Sequence, residues 1–204
     1  MNFLAHLVLA ENTTASRFGA MLGDFAKGID ITCYPIAVQA AVKRHRAIDG
    51  FTDQHPHRRH ALRLFSDKRR RFAPVALDVF DDYLLGRFWS RCYPNLDFAS
   101  FCQTLYQSLA AAHFPTPPAM QHTLFHMRQH NWLYRYQQWE FLEQVLEAMI
   151  GRIRFRNSFS GISDELRQLE PQLTASFFQF YPELQQFVLA QGDEQQAFLH
   201  SRHP

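Results

Sequence analysis

His45, Asp49 and Asp53 recur at intervals of four residues within KRHRAIDGFTDQHPHRRH, residues 43–60. On a helix, side chains four apart have Cβ atoms roughly 5–6 Å from one another, so an imidazole and a carboxylate can reach the same cation. Asp78 and Asp82 repeat the spacing in a stretch otherwise rich in Val, Leu and Phe, where an acid on the inner side needs a partner or a metal. His6 lies among apolar neighbours in NFLAHL, and Asp24 lies inside LGDF. A mixed set of imidazole and carboxylate ligands suits Mn²⁺, Fe²⁺ or Mg²⁺ better than a structural zinc site, which prefers thiolates. Each residue also has a plainer reading. His6 fits a satisfied core histidine, Asp24 a cap or a partner of Arg17 or Lys27, Asp78 an early-helix acid, and His45 with Asp49 an exposed pair.

Helices must position these groups, because nearly every segment shows helical periodicity and none alternates with period two. Residues 2–10 form a short first helix, and Thr13 or Thr14 caps a second that Gly28 closes. Pro35 opens a third helix reaching to about Thr52, and Pro56 and Pro74 open a fourth and a fifth. The fifth runs through VALDVFDDYLLGRFWSRCY, and Asp97 caps the next. Further helices follow around AMQHTLFHMRQHNW and QQWEFLEQVLEAMIGRI, and from Ser163 onwards with interruptions at Pro171 and Pro182. The expected architecture is all-α, a single domain over residues 1–192, with a polar, frayed tail over 193–204.

The formal charge of +2 conceals an asymmetry. Residues 43–71 hold ten of the 21 Lys and Arg against three of the 19 acids, a local +7 that leaves −5 for the remainder. Such a patch suits an anionic partner met by one surface, or else a solvated helix face. No nucleic-acid motif accompanies it. No stretch is apolar for the roughly 18 residues of a membrane span, and the N-terminus lacks the basic start of a signal peptide. Three unpaired cysteines fit a reducing, cytoplasmic setting. His55, His57 and His60 read as solvent-facing or partner-facing. His122, His126 and His130 share one helix face without a carboxylate and read as surface residues.

NFLAHL, GDF, HRAIDGFTD and RRRFAPVALDVFDDYLLGRFWS, with the later NWLYRY, resemble the acyl carrier protein phosphodiesterases in order and spacing. That family is a remote all-helical relative of the HD-type metal-dependent phosphohydrolases, in which an adjacent His-Asp pair holds the metal. Here three residues separate His45 from Asp49. The resemblance implies hydrolysis of the phosphodiester joining 4′-phosphopantetheine to a serine of holo-acyl carrier protein, with Mn²⁺ as cofactor and Mg²⁺ or Fe²⁺ as alternatives. It assigns His6, Asp24, His45, Asp49, Asp78 and Asp82 to the metal, with Asp49 central to catalysis. Asp53 would orient a ligand or water, and Arg46 would clamp the phosphodiester. Arg58, Arg59, Arg63, Lys68, Arg69, Arg70 and Arg71 would then meet the acidic carrier protein. A phosphohydrolase of nucleotides or other small phosphodiesters, and a non-enzymatic helical binding module, are the alternatives.

Overall fold

A computed structural model describes residues 1–150 and 161–194. The order of elements is α1 (Phe3–Leu9), α2 (Thr14–Leu22), α3 (Ile36–Gln54), α4 (Pro56–Leu64), α5 (Ala73–Arg87) and α6 (Trp89–Cys92). These are followed by α7 (Phe98–Ala110), α8 (Pro118–Gln129), α9 (Trp132–Arg135), α10 (Trp139–Ile150) and α11 (Ile162–Ala190). Among the described residues there is no strand, so the fold is all-α, one compact domain. Short 3₁₀ turns at Gly23–Phe25 and Ile31–Cys33 join α2 to α3.

The start signals act through their expected chemistry. The Thr13 side chain accepts the Ser16 N–H at 3.1 Å, and Asp97 accepts that of Ser100 at 2.8 Å, each satisfying an orphan donor of a first turn. Pro56 and Pro74 occupy first turns, where no N–H is needed. Three boundaries differ from expectation. The fourth helix stops at Leu64, so Lys68–Arg71 lie in turns and not on a helix end. The fifth breaks at Phe88. Pro171 and Pro182 do not interrupt α11, which runs unbroken for 29 residues, about 43 Å. Both prolines are exposed, so the carbonyls they free can turn to water while the opposite face stays packed.

α5 sits at the centre. It is apolar almost all round, with Ala76, Leu77, Val79, Phe80, Tyr83, Leu84 and Leu85 buried, the signature of a helix enclosed by others. α1, α9, α10 and α11 all pack on it. Complete burial of a side chain such as Phe80 contributes about 1.5–3 kcal/mol. α2 and α3 pack tightly at Gly19, where a Cβ would lie 2.5 Å from that of Ala41. The polar tail starts on a fixed anchor. Buried Arg44 donates to the Gly192 carbonyl, and the Glu194 N–H donates to Glu11 at 2.6 Å. Residues 195–204 lie outside the described residues.

Candidate metal centre

His6 and His45 come from α1 and α3, and their rings stack with centroids 3.7 Å apart at 18°. Asp49, one turn beyond His45, faces both. Its Oδ1 lies 3.1 Å from His6 Nε2 and its Oδ2 lies 3.2 Å from His45 Nε2. Asp24 also approaches, with Oδ1 3.9 Å from His45 Nε2. One ligand atom each from His6, His45 and Asp49 fits within 4.8 Å, a spacing that could hold a metal ion.

Each imidazole is held differently. His45 Nδ1 lies 2.8 Å from the Ala20 carbonyl near the end of α2. A carbonyl only accepts, so Nδ1 carries a proton and Nε2 is the nitrogen turned to Asp49 and Asp24. Metal-ligating histidines are commonly oriented this way. His6 is buried, and neither ring nitrogen has a hydrogen-bond partner of good geometry, although Nε2 is near Asp49. A buried polar group without a partner is costly, and a cation accepting its lone pair would remove that cost. Burial lowers the His6 pKa to about 4, against the pull of Asp49 and with the help of His45. The ring is therefore neutral near pH 7, as a ligand must be. Burial opposes the charge of Asp49, but a proton on either facing imidazole nitrogen holds its carboxyl well below the usual carboxylate range. Asp24 is pushed up to about 6, by burial first and by the negative charge of Asp49, with His45 opposing.

Gly23 completes the seat. A Cβ on Gly23 would enter the van der Waals envelope of the His45 ring, so only glycine lets the 3₁₀ turn close over that face. Its sequence signal was a glycine within an otherwise helical stretch, which marks close approach. Gly23→Ala is expected to destabilise the fold by about 1–3 kcal/mol, the usual range for overpacking, and to shift the imidazole resonances of both histidines. An unchanged His45 resonance would mean that the helix pair absorbs the methyl group.

The remaining residues read from the sequence fall in other places. Asp82 is fully buried, and its oxygens accept the Leu4 and Ala5 N–H groups at 2.7 and 3.0 Å. It caps α1 from α5 and does not join the cluster. Burial pushes its carboxyl up to about 8, with the two amides pulling it back. Asp78 accepts from the Met1 amino nitrogen at 2.9 Å and from Arg58. That nitrogen is also 3.8 Å from Asp49, so it stands between Asp78 and the cluster. Asp53 and Arg46 are exposed on α3. Asp53 lies one turn past Asp49, and Arg46 sits about 60° around the helix from it.

Among the basic residues, Arg58 is not a surface group. It is buried and donates to Asp81 at 2.8 Å, to Asp78, and to the Pro74 carbonyl at 2.9 Å, tying α4 to α5. Arg69 lies 3.2 Å from Glu165 and is largely covered. Arg59, Arg63, Lys68, Arg70 and Arg71 are exposed, Arg70 pairing with Asp67 at 2.7 Å. His55 is buried as well, its Nε2 3.1 Å from Glu183 and its ring against Phe51 and Phe180. The sequence offers no sign of these burials, since each requires an acid or aromatic ring from a helix far along the chain.

An all-helical fold with two stacked, buried imidazoles and carboxylates converging on one point defines a protein with a candidate divalent-cation centre. The comparisons with known proteins supply the family. The chain matches the family described as "Acyl carrier protein phosphodiesterase" over residues 1–184 and belongs to it. Relatives of that name include one from Serratia proteamaculans, 37% identical over 91% of this chain and 96% of the relative. Another, from Photorhabdus laumondii, is 34% identical over 89% and 92%. A third, from Pectobacterium atrosepticum, is 31% identical over 94% and 99%. No solved structure matches. Among the described residues, no helix is long and apolar enough to cross a membrane.

Proposed function

We propose that this protein hydrolyses the phosphodiester between 4′-phosphopantetheine and the serine of holo-acyl carrier protein, releasing apo-protein and phosphopantetheine. The observation that carries the reading is the convergence of His6, His45 and Asp49, with the His6 nitrogens lacking any hydrogen bond. The relatives' name supplies the substrate. His6, His45, Asp49 and Asp24 would hold Mn²⁺, with Mg²⁺ or Fe²⁺ as alternatives. Such an ion lowers the pKa of a bound water and neutralises charge on phosphoryl oxygens. In the reaction a water oxygen bonds to phosphorus, the bond from phosphorus to the serine oxygen breaks, and that oxygen takes a proton. Arg46 grips phosphoryl oxygens through its guanidinium fork, and Asp53 orients water at the outer edge of the centre.

Incubation with holo-acyl carrier protein and Mn²⁺, followed by mass spectrometry, tests this directly. Loss of the phosphopantetheine mass is expected, and its abolition by a chelator. An intact carrier protein would sink the reading. Loading should also depend on pH. Below about 6 a proton on Asp24 competes with the metal, while His6 is already neutral above about 4. Mn²⁺ affinity should therefore rise by up to about tenfold per unit as pH increases towards 6. A flat profile would remove Asp24 from the ligand set.

The exposed Arg59, Arg63, Lys68 and Arg71 steer the acidic carrier protein. Replacing all four with Gln is expected to raise the apparent KM severalfold. The loss should be largest at low ionic strength, because salt already screens the wild-type attraction over roughly 10 Å. A fall in kcat without a change in KM would contradict steering.

A further inference from the structure

A cavity of about 390 Å³ opens between the first turn of α1, α9 and α10, within the size range of small-molecule sites. Its walls are mainly apolar, with Phe3, Trp132, Phe141, Val145 and Met149, and among the described residues no carboxylate lines it. Its position relative to the candidate centre follows from helix geometry. Asn2 and Phe3 line the cavity and precede His6 by four and three residues, so they share its side of α1 about one turn, roughly 5 Å, towards the N-terminus. Phe3 also stacks on Phe25, with centroids 6.3 Å apart at 1°, and Phe25 follows Asp24 in the same 3₁₀ turn. The wall of the cavity therefore continues into the rim of the centre.

The polar groups of the cavity fit an amide. Asn2 donates its Nδ2 to the Tyr136 hydroxyl at 2.8 Å, leaving its Oδ1 to accept. Gln144 accepts from Arg135 at 2.9 Å through Oε1, leaving its Nε2 to donate. The Arg135 guanidinium also lines the cavity and lies over the Phe141 ring at 4.4 Å. The Asn2 carbonyl and the Gln144 amide, set in an apolar wall, can meet the N–H and C=O of a secondary amide.

We propose that this cavity seats the uncharged, amide-bearing pantetheine arm that extends from the scissile phosphodiester. The assignment rests on the reaction proposed above. An arm held there would fix the phosphodiester against His6, His45 and Asp49, converting binding of the remote chain into orientation at phosphorus.

The test is a calorimetric titration of the purified protein with S-methyl-pantetheine, which has the amides and no phosphodiester, beside Val145→Trp, which fills the cavity. The wild type is expected to bind saturably and Val145→Trp at least tenfold more weakly. The kcat/KM for the holo-carrier protein should fall at least as far, mainly through KM. If circular dichroism shows Val145→Trp misfolded, Ala148→Leu takes its place in the same titration. No saturable binding by the wild type, or equal binding by the filled variant, would overturn the proposal. So would equal affinity for an alkyl alcohol of the same length, since Asn2 and Gln144 would then contribute nothing. The titration needs no turnover. A wild type that binds pantetheine but leaves the carrier protein intact would defeat the proposed reaction without touching the cavity.

Discussion

Asp49→Asn is expected to lower kcat/KM for the holo-carrier protein by at least about a hundredfold while the helical fold persists. The carboxylate faces His6 Nε2 at 3.1 Å and His45 Nε2 at 3.2 Å. Asparagine keeps its shape, removes one negative charge, and turns an amide N–H₂ towards atoms that must offer lone pairs to a cation. A hundredfold corresponds to about 2.7 kcal/mol of transition-state stabilisation, within the several kcal/mol that metal-ion catalysis supplies. The fold should survive because the Asp49 side chain is 42% exposed and caps no helix. Activity and Mn²⁺ affinity should fall together. A folded Asp49→Asn protein working at the wild-type rate would exclude Asp49 from the centre.

Asp82→Ala should have its large effect on stability. The Asp82 carboxylate is buried and accepts two backbone N–H groups of α1, which has no side-chain cap of its own. Removing it strands two buried donors at about 1–3 kcal/mol each, offset in part because a desolvated carboxyl disappears with it. A net loss of about 2–4 kcal/mol in urea unfolding is expected, together with weaker Mn²⁺ binding because His6 rides on the same short helix. Asp82→Asn should lie between, since one carbonyl oxygen can still accept. A variant that loses metal affinity at unchanged stability would instead make Asp82 a ligand. The two roles therefore separate on a single denaturation curve.

That ambiguity shows how far the sequence could be read. The spacing of His45 and Asp49 was legible because four residues on a helix have one geometric meaning, and the structure brings the pair to one point with His6. The acid at position 82, on an apolar helix, announced only that it needed a partner. A metal ion and a helix N-terminus satisfy a buried carboxylate equally well, and nothing local separates them. Arg58 and His55 sit among charged neighbours in sequence, yet their partners, Asp81 and Glu183, come from α5 and α11. Pro171 and Pro182 break an isolated helix but not one whose other face is packed. The periodic elements and most of their caps followed from local rules, whereas the burial of single polar side chains depended on contacts across the fold.

The seven residues of α1 are too few to stay helical alone. Leu4 and Leu7, buried against the rest of the protein, and the reach of Asp82 hold the helix in place. His6 thus belongs to an element that tertiary contacts alone keep helical, while His45 and Asp49 belong to α3 and Asp24 to the 3₁₀ turn that joins it to α2. Whatever binds to both halves of the centre favours the closed arrangement by mass action, and whatever loosens α1 lowers the affinity of the centre by the same factor. Hydrogen-exchange protection of the first turn and occupancy of the centre are accordingly linked through a seven-residue helix.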